Sequence, residues 1–273
     1  MRAKNPLAAA AAVATALVLS ACGGGSAELS AEDEPLRVGA SPVPHAEILR
    51  FVDEELAEDA GLDLEIVEFT DYVQPNVALD DGSIDANYFQ TVPYLEEQEA
   101  NAGYDFTALE PVHIEPLGIY SDSLTSLADL PDGATVAIPN DPTNAGRALR
   151  LLAANDLITL ADTGDAAPTS LDIDDNPKNL QIQEIEAAQL PRSLADVDAA
   201  VINGNYAIDA DLSPAEDALA LEEAEGNPNA NLVVVRAGTE DDERIGQLEE
   251  LLHSDEVRTF IEETYEGAVI PAF

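Results

Sequence analysis

Cysteine is all but missing from this chain of 273 residues: the one present, Cys22, lies near the N-terminus. A single thiol excludes an internal disulfide and a zinc thiolate centre. Basic residues are scarce as well, with 11 Lys plus Arg against 55 Asp plus Glu and a net charge of −44. Lysine occurs only as Lys4 and Lys178. With no basic stripe to displace counterions from phosphates, nucleic acid is excluded as a partner. The acid surplus speaks to solubility and ionic surroundings, not to fold. Catalytic signatures are missing too: there is no Gly-x-Ser-x-Gly elbow, no His-Glu-x-x-His and no P-loop Gly-Lys-Ser/Thr. Nor is there an Asp-x-Asp-x-Asp-Gly calcium loop. The sequence therefore predicts a protein that is not an enzyme and needs no cofactor or metal.

What is present begins with a targeting segment. Arg2 and Lys4 precede a nearly all-apolar run from Ala8 to Leu19, too short to span a bilayer and fitting a signal-peptide core. Leu19-Ser20-Ala21-Cys22 closes it and is similar to a bacterial lipobox, in which the cysteine becomes the acylated N-terminus. Residues 1–21 thus read as signal peptide. Cys22 reads as the lipidation site, and 22–35 as a flexible, acidic tether holding the protein at a membrane without a spanning helix.

From Leu36 onward, strand-like and helix-like segments alternate. Leu36–Ala40 reads as a buried strand, Ser41–Pro44 as a turn, and His45–Ala60 as a helix with apolar residues at Ile48, Leu49, Val52 and Leu56. Leu64–Phe69 alternates with the period of a strand. A short helix follows around Val77–Leu79, then extended chain at Ser83–Tyr88 and a helix from Pro93 to Ala102. Such a βαβα order implies a parallel sheet with helices on its faces. A second block, from about Leu124 to Asn227, has strands at Ala134–Pro139, Leu180–Ile185 and Ala199–Ile202. Its loop Asn140–Asn144 opens a helix from Ala145 to Ala154. His113–Tyr120 and Asn231–Arg236 read as two extended crossings between the blocks, and Glu243–Tyr265 as a long terminal helix. The predicted fold is α/β and two-lobed, with 36–118 plus 229–273 in one lobe and 119–228 in the other. Ligands of open α/β sheets bind beyond the carboxyl ends of strands, and hinge closure is a recurrent switching mode.

The residues at those strand ends form a mixed set. Tyr72, Phe89, Tyr94 and His113 come from the first block, and Asn144, Arg147, Asn203 and Asn205 from the second. An arginine fork and a helix N-terminus suit a carboxylate, asparagine carbonyls accept from an ammonium, and aromatic faces suit an apolar or thioether side chain. Taken singly, each residue also fits a duller role: core aromatics, a surface ion pair for Arg147, turn-shaping asparagines.

Several blocks in order resemble the NlpA/MetQ-type methionine-binding lipoproteins. They include Phe69-Thr-Asp-Tyr-Val-Gln-Pro-Asn76, Ile84-Asp-Ala-Asn-Tyr-Phe-Gln90, His113-Ile-Glu-Pro-Leu-Gly-Ile-Tyr120 and Ala137-Ile-Pro-Asn-Asp-Pro-Thr-Asn-Ala-Gly-Arg-Ala148, with Val201-Ile-Asn-Gly-Asn-Tyr206 and Gly267-Ala-Val-Ile-Pro-Ala-Phe273 further on. Val43 stands where the family usually has Gly, and Thr91 where many members have His. The resemblance implies a periplasmic-binding fold of type II-like build that holds its ligand between the lobes. It implies Arg147 on the ligand α-carboxylate, Asn205 on the α-amino group, and Tyr72, Phe89, Tyr94 and His113 around the side chain. The expected function is that of a monomeric, lipid-anchored solute-binding protein on the extracytoplasmic face of the membrane, delivering methionine to an ABC permease. Two other readings compete: the same fold binding another amino acid or a short peptide, and an acidic surface lipoprotein binding calcium or a protein.

Overall fold

The computed structural model describes residues 29–31, 34–164 and 166–273. The predicted signal segment and Cys22 lie outside the described residues, as does most of the tether.

In chain order the first elements are β1 (Leu36–Ala40), α1 (Glu47–Glu55), α2 (Ala57–Ala60), β2 (Leu64–Glu68), α3 (Gln74–Asp80), β3 (Ala86–Thr91), α4 (Val92–Ala102) and β4 (Phe106–Ile114). There follow β5 (Gly118–Tyr120), β6 (Thr135–Pro139), α5 (Pro142–Ala154), β7 (Thr159–Leu160), β8 (Ile173–Asp175), β9 (Gln181–Ile185), α6 (Leu190–Ser193), β10 (Ala199–Ile202), α7 (Gly204–Asp209), α8 (Pro214–Asp217) and β11 (Ala220–Leu221). The chain ends with β12 (Ala230–Arg236), α9 (Glu243–Leu252), α10 (Asp255–Tyr265) and β13 (Ile270–Pro271).

Two sheets organise these elements. The first has strand order β13-β4-β12-β3-β1-β2 and the second β11-β5-β10-β6-β9. The fold is two-lobed, of the periplasmic-binding type. The sheets are mixed rather than purely parallel as expected: β1 runs parallel to β2 and β3, whereas β12 is antiparallel to both β3 and β4. β12 also corrects the second crossing. Asn231–Arg236 is not a connector but an inner strand of the first sheet, because Leu232–Val235 are apolar on both faces and all four are buried. The first connector is shorter than expected, and the second lies before Asn231. Glu115–Leu117 joins β4 to β5, and residues 222–229 join β11 to β12.

Each lobe has its own core. In the first, Leu36, Val38 and Ala40 of β1 meet Ile48, Leu49 and Val52 on the apolar stripe of α1, with Ile245, Leu248 and Leu252 of α9. In the second, Val136 and Ile138 of β6 and Val201 of β10 pack on Leu149 and Leu152 of α5. Each such buried side chain contributes about 1.5–3 kcal/mol by leaving water.

Element limits moved where local chemistry outweighed periodicity. The helix expected at His45–Ala60 starts at Glu47, after a kinked turn over Pro42–Ala46, and breaks at Leu56. Val43 in that turn has φ −132, an extended backbone that any residue adopts, so valine is accommodated in place of glycine. The terminal helix splits because Ser254 caps a new start, its hydroxyl accepting from the Val257 N–H. Most relevant to the site, α5 begins at Pro142, earlier than expected. Proline needs no N–H at a helix start, and Asp141 caps it by accepting from the Asn144 N–H. Asn144 and Arg147 therefore sit in its first two turns.

Candidate functional site

Between the lobes lies a small cavity. From the first lobe it is lined by Tyr72, Phe89, Gln90, Thr91, Tyr94 and Asn231, and from the second by Asn144, Arg147, Asn203, Gly204 and Asn205, with Glu115 at the first connector. The structure thus brings together all the expected site residues except His113. Hydrogen bonds cross from lobe to lobe at its edge: the Tyr72 hydroxyl donates to Asn205 Oδ1 at 2.6 Å, and the Tyr206 hydroxyl to the Thr70 carbonyl at 3.3 Å. The cleft is closed.

Three aromatic rings form one wall. Tyr72, Phe89 and Tyr94 lie with all three centroid pairs at 6.0 Å, and the Tyr94 hydroxyl donates to the Tyr72 carbonyl. Phe89 reaches the cavity because β3 ends at Thr91, three residues later than the extended segment expected from the sequence. Behind the wall, Asn76, Asn87 and Gln90 satisfy one another's amides, with Asn87 Nδ2 at 2.9 Å and Gln90 Nε2 at 2.8 Å from Asn76 Oδ1. Such a satisfied network fixes the shape of the floor.

Charge is concentrated at two points. Arg147 and Glu115 are the only lining residues with ionisable acid or base groups of opposite sign. Arg147 is 9% exposed, and its guanidinium already has protein partners, as the ion-pair reading of the sequence allowed. Nε donates to both oxygens of Glu222, at 2.9 and 3.0 Å, and Nη2 donates to Glu222 and to the Glu115 carbonyl. Burial raises the Glu222 carboxyl, but the bonds and charge of Arg147 outweigh it and hold the group below its usual range.

Glu115 was not among the expected residues. Its Oε1 accepts from His113 Nε2 at 2.8 Å and lies 3.3 Å from His45 Nε2. Burial raises its carboxyl, opposed by His45, the Asn205 N–H and Arg147. Gly204 permits this approach: a Cβ there would stand 2.7 Å from the Glu115 Cβ. His113 itself points away from the lining and is fully buried, its Nδ1 bonded to the Tyr88 hydroxyl. A place around the ligand side chain is therefore not what this structure gives it. Its ring packs edge-on against Tyr88 and His45, and it positions Glu115. Burial holds His113 down to about 3, and burial likewise lowers His45 to about 4, against the pull of Glu115. His45, His113 and Glu115 are also the residues grouped closely enough to hold a metal, with donor atoms within 4.8 Å of one another. Here both rings turn Nε2 toward Glu115, and His45 Nε2 also lies 3.1 Å from Asn231 Oδ1. The signal for Glu115 was its place two residues beyond His113 in the crossing, where a carboxylate is costly unless it has partners.

The arrangement offers a cation near a helix N-terminus, amide and carboxyl acceptors, and an aromatic wall. That is complementary to a small zwitterion with an apolar side chain.

The chain matches the family model for NlpA lipoproteins over residues 36–273. It is 42% identical over 258 residues to the methionine-binding lipoprotein MetQ of Bacillus subtilis, covering 93% of both chains. It is 45% identical over 222 residues to the D-methionine-binding lipoprotein MetQ of Escherichia coli, covering 80% of this chain and 82% of that one. Among solved structures, a nutrient-binding protein from Burkholderia cenocepacia bound to methionine superposes with a TM-score of 0.85 at 46% identity, covering 87% of this chain and all of the other. A periplasmic substrate-binding protein of an ABC transporter from Coxiella burnetii gives 0.83 at 43%, again covering 87% of this chain and all of that one.

Proposed function

Because this chain belongs to the NlpA lipoprotein family, we propose that it is the solute-binding lipoprotein of an ABC importer, taking methionine between its lobes and passing it to a membrane permease. The observation that carries this reading is the lining of one closed cavity between the lobes, which sets the Arg147 guanidinium, the Asn203 and Asn205 amides and the Glu115 carboxyl beside the wall of Tyr72, Phe89 and Tyr94. Arg147 and the N–H groups opening α5 receive the carboxylate. Asn203 and Asn205 with Glu115 serve the ammonium, and the rings enclose the thioether. The cargo leaves unchanged, so the protein performs no catalysis.

Strand membership supports the lobe division at 36–118 plus 229–273 and 119–228 except at Gly118, which opens β5 of the second sheet. Relatives named as lipoproteins support anchoring through Cys22 on the extracytoplasmic face. Among the described residues no helix is long and apolar enough to cross a membrane. The protein acts as a monomer. Cys22→Ser should leave it unprocessed or released from membranes.

Calorimetric titration with a panel of free amino acids tests the cargo. Methionine should bind most tightly, with one site per chain. Tighter binding of another amino acid, or a response to calcium and none to amino acids, would replace this reading.

A further inference from the structure

Asp141, Asn144 and Asn203 form a line of hydrogen bonds that ends at the cavity, and one end sets its direction. An ionised carboxylate only accepts, whereas an amide has a donating and an accepting side that can exchange by a half-turn. Asn144 Nδ2 lies 3.0 and 3.1 Å from the two Asp141 oxygens, and the Asn144 backbone N–H lies 2.9 Å from Oδ1. The nitrogen of the Asn144 amide must therefore face Asp141, and its oxygen must face away. That oxygen accepts from Asn203 Nδ2 at 2.9 Å. The same logic repeats one step on, leaving Asn203 Oδ1 directed away from Asn144.

Asn203 Oδ1 is buried and has no hydrogen-bond partner among the described residues. Its residue lines the cavity and is only 6% exposed. A buried acceptor without a donor is rare and costly, so this oxygen calls for a donor from the bound molecule. Asn205 is the less available acceptor, since its Oδ1 already takes the Tyr72 hydroxyl.

We propose that Asp141 is a positioning residue for ammonium recognition, fixing the polarity of two asparagine amides so that Asn203 presents a carbonyl oxygen and not an NH2 group to the ligand. The assignment rests on reading the cavity as an amino-acid site. Asp141 does not line the cavity and acts only through Asn144 and Asn203. The relay selects for a primary ammonium beside the carboxylate and against a ligand of the same shape without one. Were the two amides reversed, two N–H donors would face a cation.

Asp141→Asn separates this role from a structural one. Asparagine is as good a helix cap as aspartate, so α5 keeps its start. It can, however, turn its own NH2 toward Asn144 and release the polarity of the line. Calorimetric titration should show methionine affinity reduced about tenfold, the scale of a lost bond to a charged group. Affinity for the deaminated analogue 4-(methylsulfanyl)butanoate, which keeps the carboxylate and thioether, should stay within about twofold on the same scale. The double variant Asp141→Asn with Asn144→Asp moves the carboxylate one step along the line and should recover most of the loss. Equal weakening of both ligands by Asp141→Asn, or unchanged methionine affinity, would overturn the relay. If wild-type protein prefers another amino acid, that shows in its own titration, and the comparison is made with that ligand and its deaminated form.

Discussion

Arg147 and Glu222, 75 residues apart, form a partly buried ion pair at the edge of the cavity, the arginine Nε lying 2.9 and 3.0 Å from the two carboxylate oxygens. The pair also laces the two connectors together. Glu222 opens the second and exchanges bonds with Leu117 of the first, while Arg147 Nη2 donates to the Glu115 carbonyl. Bound by its Nε edge, the guanidinium still has Nη1 for a ligand carboxylate. On the proposed reading, ligand capture and hinge position meet in one side chain.

Removing either partner should have distinct effects. Arg147→Ala should weaken methionine binding by more than tenfold, since truncating one member of a desolvated charge pair costs about 2–5 kcal/mol. Arg147→Lys should recover only part, lacking the planar fork. Glu222→Gln leaves the arginine charge uncompensated, so the melting temperature without ligand should fall. Methionine should then raise it by more than in wild type, because the ligand carboxylate replaces the lost counter-charge. Differential scanning calorimetry with and without methionine checks this; equal shifts would mean that Glu222 does not neutralise the binding arginine.

Tyr72→Phe removes the hydroxyl that reaches across to Asn205 and leaves the ring in the wall. A single hydrogen bond is worth about 0.5–1.5 kcal/mol, so affinity should fall by roughly two- to tenfold. Because the bond exists only when the lobes meet, small-angle scattering should show a smaller fraction of closed molecules at equal methionine concentration. An unchanged open–closed balance would count against this bond as a latch.

His45 makes stability depend on pH in a defined direction. Its folded value is about 4 against an ordinary 6.5, so between these limits only the unfolded chain takes up the proton. Stability is full above pH 6.5 and drains away as pH falls toward 4, by about 1.4 kcal/mol per unit for one such group. His113 acts in the same sense, and Glu115, whose carboxyl is raised, in the opposite one. Replacing His45 with Gln should therefore reduce the loss between pH 6.5 and 5 by about 2 kcal/mol. Urea unfolding at the two pH values measures it, and parallel behaviour of the two proteins would exclude His45 as the source.

The net charge of −44 strains the compact state by self-repulsion. Added sodium chloride screens exposed charges over about 10 Å at 0.1 M, so the melting temperature should rise from low to molar salt. A flat or falling curve would show that repulsion does not limit stability.

Much of this organisation is legible along the chain. The alternation of β1 and β2, the apolar stripe of α1, and the order of aromatic and asparagine residues at strand ends follow from local periodicity and turn chemistry, which any window of sequence displays. The blocks shared with relatives carried the side chains of the site itself, apart from His113. What the sequence could not decide was pairing. Asn231–Arg236 looks extended in either case; only the burial of both its faces makes it an inner strand and not a crossing. With 55 acidic residues available, nothing local singles out Glu222 for Arg147 or Glu115 for His45. Those choices arise when folding within each lobe brings together residues tens of positions apart and takes them out of water, where a charge or amide left unpaired is costly. Periodicity reports which face of an element is buried, and only the closed tertiary structure reports what lies opposite.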